Sequence, residues 1–169
     1  MDMTKDAGPK KARTAEASKA ERGAPLYNRD ILRLAATISH LGKLSAPHGS
    51  AEKRSVTCGS KVVADVCVNN DGSLSELGLE VSACALGQAS ASILSANAVG
   101  KQLSEIEAAY DQLSAFLSGR SEEIGTWEHF DKLVAARPFT ARHPSIKLPF
   151  EALISSIKTA TSHSGKGQE

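Results

Sequence analysis

The chain has 169 residues, a formal charge of +1 and an apolar fraction of 41%, with one Trp, two Tyr and four Phe. That length suits one domain with a sizeable core, which aliphatic side chains and alanine must fill. Near-neutral charge without a long basic block argues against nucleic acid, and no segment approaches the roughly 18 apolar residues of a membrane span.

Residues 1–24 are small, polar and charged without apolar periodicity, and read as a disordered tail. The run "KKARTAEASKAER" is basic and alanine-rich like an organelle address, but Glu16 and Glu21 weaken that reading. From Leu26, apolar residues Tyr27, Ile31, Leu34, Ile38 and Leu41 recur at helical spacing, which predicts an amphipathic helix through Leu41 with Gly42 as its stop. A long loop follows, then a short strand over about residues 53–57. "SKVVADVCVNNDG" alternates, with Val62, Ala64, Val66 and Val68 on one face and Val63, Asp65 and Cys67 on the other. Asp71-Gly72 marks a hairpin turn, and Leu77, Leu79 and Val81 line one face of the returning strand.

The remainder is helical in pattern. Helices are expected over 85–99 and 103–117, in one or two short pieces around Trp127, and over about 145–160, with Pro149 near the start of the last. Residues 161–169 read as a second tail, leaving 25–160 as the domain. The fold class is α+β: a leading helix, a three-stranded antiparallel sheet, and helices packed on one face.

Three cysteines make an odd count, and no leading apolar run resembles a signal peptide. The compartment expected is the cytoplasm, where thiols stay free or bind metal. Cys67 lies mid-strand beside Lys61 and Asp65 and reads as a partly exposed structural thiol. Cys58 and Cys84 differ. Pairing around Asp71-Gly72 sets residues whose numbers sum to about 143 opposite one another, which brings Cys58 near Ala85 at one end of the sheet. A helix starting beside Cys84 would favour its thiolate. Two thiolates suit zinc or iron but fill only half of a tetrahedral set. His143, just before the last helix, is the third ligand candidate, with His48 a weaker one. Arg142 can offset thiolate charge, and Ser60 and Ser145 can donate hydrogen bonds to sulfur.

The order "CGS", a hairpin, then "VSACALGQASASILSANAVGKQLSEI" resembles the iron-sulfur cluster assembly scaffold family, the U-type or nitrogen-fixation U-like N-terminal domain. The resemblance covers about residues 26–159, and Tyr27 matches the tyrosine near the start of the family's first helix. It implies a noncatalytic scaffold that accepts sulfur from a cysteine desulfurase, binds iron, assembles a [2Fe-2S] cluster and passes it to acceptor proteins. Cys58 and Cys84 match the family's first two cysteines, and His143 its histidine. The family's Cys-Gly-Asp stands here as Cys58-Gly59-Ser60. Its third cysteine falls on Pro144 by local matching and on Ser145 by the register of the last helix. The stretch by which some relatives engage a heat-shock chaperone matches "RPFTA" only loosely, so chaperone engagement is not implied.

Three outcomes stay open on these residues. His143 completes a Cys-Cys-His set with an outside thiol or water; a homodimer supplies Cys58 and Cys84 twice; or the chain serves as an adaptor, a persulfide relay or a zinc-binding regulator. An enzyme with Cys84 as nucleophile and His143 as base lacks a nameable orienting residue.

Overall fold

Asn28 opens the first helix, its side chain accepting a hydrogen bond from the Ile31 N–H at 3.0 Å. In the computed structural model, which describes residues 26–164, this helix (α1) is Arg29–Ala35 and buries Ile31. It is six residues shorter at its C-terminal end than the periodicity predicts. The Thr37 hydroxyl turns back onto the Arg33 carbonyl, and His40 takes a positive φ of 60°. The backbone then pairs with the sheet: Leu79 N–H donates to the His40 carbonyl and Gly42 N–H to the Leu79 carbonyl, both at 2.8 Å. Groups that a longer helix would satisfy internally are satisfied by a strand edge instead.

The sheet contains β1 (Gly49–Arg54), β2 (Lys61–Val68) and β3 (Leu74–Ser82) in the order β1-β2-β3, antiparallel throughout. Lys61 faces Ser82, Val62 faces Val81 and Cys67 faces Glu76, the register that the Asp71-Gly72 turn predicts. The first strand lies about four residues earlier than expected. Gly59, at φ +72°, closes a turn over Ser55–Ser60, so Val56 and Thr57 project into solvent instead of pairing.

Helices α2 (Ala85–Asn97), α3 (Leu103–Leu117) and α4 (His143–Ser164) follow, with 3-10 turns at Phe130–Ala136 and Thr140–Arg142. α4 packs across β1 and β2, α2 and α3 lie against α4, and α1 lies against α2. Val62, Ala64, Val66 and Leu79 meet Leu86, Ile93, Phe150 and Leu153 in an almost entirely aliphatic core. The segment around Trp127 is helical only from Phe130, because His129 sits at φ 74°, a backbone state no helix interior tolerates. Trp127 instead stacks on Phe130, with centroids 5.9 Å apart. The last helix begins two residues earlier than predicted and runs four beyond Ala160, into the segment read as a tail. Residues 1–24 and 165–169, also read as tails, lie outside the described residues.

Cys67 is buried, not partly exposed. The loop after α1 folds over that face of β2, where Asp65 accepts from the Leu44 N–H and the Ser50 hydroxyl, and the Cys67 thiol reaches the Ala46 carbonyl. Alternation alone does not reveal this second cover.

Candidate functional site

Three element ends meet at one end of the sheet: the β1–β2 turn with Cys58 and Ser60, the start of α2 with Cys84, and the start of α4 with Ser145. Cys58 is exposed on the turn, Cys84 is half-buried, and the two serines are buried. Four side chains form one chain of contacts. Cys58 Sγ lies 3.2 Å from Ser60 Oγ, Ser60 Oγ lies 3.3 Å from Ser145 Oγ, and Ser145 Oγ lies 3.3 Å from Cys84 Sγ.

Local sequence explains this placement. Cys84 is the N-cap residue of α2, and its sulfur faces the N–H groups of Leu86 and Gly87. Gly87 is required by crowding: a Cβ there would stand 2.5 Å from Ser145 Oγ and 2.7 Å from the Ala83 Cβ. The Ser90 hydroxyl donates to the Ile146 carbonyl at 2.5 Å and ties α2 to the first turns of α4.

Both thiols are shifted toward the thiolate. Hydroxyls of Ser55 and then Ser60 bring Cys58 down from 9.0 to about 7, against a smaller opposing effect of burial. For Cys84, burial pushes the pKa up, but the Ser145 hydroxyl, the Gly87 and Leu86 N–H groups and the Arg142 charge outweigh it, so the net shift is downward. Burial pushes the Cys67 thiol the other way. Ser55, which the sequence reading overlooked, is 6% exposed, and its hydroxyl makes the largest contribution to the Cys58 shift. A tight turn that sets Ser55 three residues from Cys58 is the signal that would have found it.

The other candidates are placed as follows. Arg142 is close enough to Cys84 to favour its thiolate. His143 Nε2 lies 3.1 Å from the Ala136 carbonyl and 3.0 Å from the Arg137 carbonyl, so it carries the proton and leaves only Nδ1 as a lone-pair donor. Gly59 provides the positive φ of the Cys58 turn. Tyr27 is exposed just ahead of the α1 cap, and His48 accepts from the Val68 N–H at the opposite end of the sheet. Among the described residues no three His, Cys, Asp or Glu side chains gather closely enough to hold a metal ion.

Among solved structures, the chain is similar to a nitrogen-fixing NifU-like protein (N-terminal) from Brucella abortus. The two are 31% identical with a TM-score of 0.74, over 81% of this chain and 95% of that one. The chain belongs to the NifU-like family. Two more distant structures share its fold. One is a putative iron-sulfur cluster assembly scaffold protein for the SUF system from Fervidobacterium islandicum AW-1, at 16% identity and TM-score 0.69 over 80% of this chain and 98% of that one. The other is a hypothetical protein at 21% identity and TM-score 0.66, over 76% and 94%. No protein-family model and no curated protein matches the chain. Among the described residues, no helix of this NifU-like chain is long and apolar enough to cross a membrane.

Proposed function

We propose that this NifU-like chain is a noncatalytic assembly factor that takes iron and sulfur at the Cys58–Cys84 end of its sheet. It holds iron or a [2Fe-2S] cluster as cargo and passes it to acceptor proteins, with a cysteine desulfurase as the sulfur source. The observation that carries this reading is the joining of Cys58 and Cys84 through Ser60 and Ser145, with both thiols biased to the anionic form that iron requires. The residue chemistry fits half of the cargo: two thiolates out of the four that a [2Fe-2S] cluster takes. In this reading Ser145 stands where the family places its third cysteine, and a neutral hydroxyl replaces a soft anionic donor. His143 contributes through Nδ1, or a second copy supplies two more thiols.

Anaerobic reconstitution with iron and inorganic sulfide tests the reading, with visible absorption, metal content and oligomeric mass measured for wild type, C58S, C84S, C67S and H143A. Cargo that is lost with C58S or C84S and indifferent to C67S supports it. Absence of stable iron and sulfide in every preparation rejects it. Zinc held by the same cysteines in place of iron would mark a regulator.

One observation favours a second reading, an adaptor of the assembly machinery: among the described residues no third His, Cys, Asp or Glu side chain gathers with Cys58 and Cys84 closely enough to hold a metal ion. An adaptor would bind its partners normally when Cys58 and Cys84 are both changed to serine.

A further inference from the structure

β1 is an edge strand, and the way it leaves α4 opens a trough. At Gly49 strand and helix touch: a Cβ there would stand 2.7 Å from the Ala160 nitrogen. Two and four residues on, Ala51 and then Lys53 follow on the same face, and a lysine ammonium stays in water instead of packing against a helix. There a groove of about 340 Å³ lies between Lys53, Tyr110 of α3, and Glu151, Ile154 and Lys158 of α4. A second groove of about 210 Å³ shares Glu151 with the first and continues past Lys147 and Leu148 to Val56, on the turn that carries Cys58.

Four cations border the trough: Lys53, Arg54, Lys147 and Lys158. The carboxylates beside it are already engaged, Glu52 by Arg54, Glu107 by Lys158 at 3.0 Å, and Glu151 by the Tyr110 hydroxyl at 2.8 Å. Lys53 and Lys147 meet no carboxylate among the described residues. Apolar surface lies between these charges, half-buried at Ile154 and fully in solvent at Val56.

We propose that this trough docks an extended acidic segment of a partner protein, whose carboxylates meet Lys53 and Lys147 while its apolar side chains enter beside Ile154 and Leu148. Charge selects this occupant. The chain's own leading stretch "KKARTAEASKAER" has five Lys or Arg against two Glu, so it would bring cations to cations. A nucleic acid fits less well, because Glu52, Glu107 and Glu151 stand among the cations and repel closely spaced phosphates. The grooves are also of side-chain size, with apolar walls that a phosphate backbone leaves unused. A segment seated here tethers its protein next to the Cys58 turn whatever that cysteine holds, so the inference stands apart from the cargo reading.

The probe is a soluble synthetic peptide in which pairs of Glu flank single Leu residues, titrated into the full-length, nitrogen-15-labelled protein and followed by amide shifts. Amides over 50–57 and 147–158 should move saturably with this peptide and stay still with a matched peptide carrying Lys in place of Glu. Reversing two exposed charges in K53E/K147E should weaken binding about tenfold or more. The neutral variant K53Q/K147Q, which keeps the side chains long, should fall between the two. K43E should bind like wild type, because Lys43 pairs with Glu80 of β3 at the other edge of the sheet. Circular dichroism checks that each variant folds. Equal binding by wild type, K53Q/K147Q and K53E/K147E overturns the proposal, as does the absence of shifts at millimolar peptide. Tighter binding of a single-stranded oligonucleotide of equal charge would make this a polyanion surface and overturn it. Concentration-dependent shifts of the same amides without peptide would assign the trough to a second copy, with the same result.

Discussion

The ionisation of Cys58 gives the sharpest test of the site as built. With a pKa of about 7 in place of 9.0, about half of this thiol is ionised at pH 7 where an ordinary one is about 1% ionised. A thiolate of lower pKa is a weaker nucleophile, and a Brønsted slope of about 0.4–0.5 over two units removes roughly sixfold to tenfold, leaving a net gain of about fivefold to eightfold at pH 7. The assay is disulfide exchange with dithiodipyridine in a C67S/C84S background, followed from pH 5.5 to 10 by stopped flow. The rate should rise through a midpoint near 7. Removing the largest contributions with S55A and S60A together should carry the midpoint up toward the ordinary value. A wild-type midpoint above about 8.5, or one that ignores both serines, would refute the assignment of these hydroxyls as the cause.

Three further perturbations test the frame around the site. Gly87→Ala drives a Cβ to within 2.5 Å of Ser145 Oγ and should lower stability by about 1–3 kcal/mol in urea denaturation, with cargo retention falling alongside. Phe150→Ala empties the centre of a cluster in which Phe150 lies 5.6 Å from Trp127 and 6.0 Å from Phe130; it should cost about 3–5 kcal/mol, read through the fluorescence of the single tryptophan. Cys67, buried and shifted upward, should resist alkylation at neutral pH until the protein unfolds, and labelling of native protein at a rate like that of Cys58 would contradict its burial.

The convergence of Cys58 and Cys84 was legible because a hairpin register is a counting argument. Once Asp71-Gly72 forms the turn, Lys61 must meet Ser82, and the flanking cysteines follow. The helices over Leu103–Leu117 and near Ala85–Asn97 were legible because their apolar spacing and small-residue runs reflect one buried face. Elsewhere the decisive contacts are remote in sequence. α1 ends early because β3 attracts the backbone of His40 and Gly42, and Cys67 is buried because a loop crosses its face. No local pattern records either contact. The resemblance left the matched position of the third cysteine between Pro144 and Ser145. Only the Ser145 hydroxyl, 3.3 Å from both Ser60 Oγ and Cys84 Sγ, is brought into the contact chain, a relation spanning 85 and 61 residues.

Cys84 shows how function and stability oppose each other at this site. Its backbone, at φ −66° and ψ 169°, already has the N-cap conformation, yet its side chain makes no capping hydrogen bond, and sulfur is a poor acceptor for the task. The variant C84S would put a hydroxyl oxygen opposite the Gly87 N–H that the sulfur now faces, so it should be more stable than wild type by about 0.5–1 kcal/mol. The comparison belongs on the acid side, below the lowered pKa of the wild-type thiol, where that thiol is neutral. Because its folded pKa is lowered, wild type gains stability as pH rises through that pKa and loses it as pH falls, so the advantage of C84S should shrink toward alkaline pH. Urea midpoints at unchanged m-values measure this, and a C84S protein weaker than wild type on the acid side of that pKa would reject the capping argument. A serine that caps α2 better than the native residue while abolishing cargo retention would mean that the thiol is kept for its chemistry, at the expense of the helix it begins.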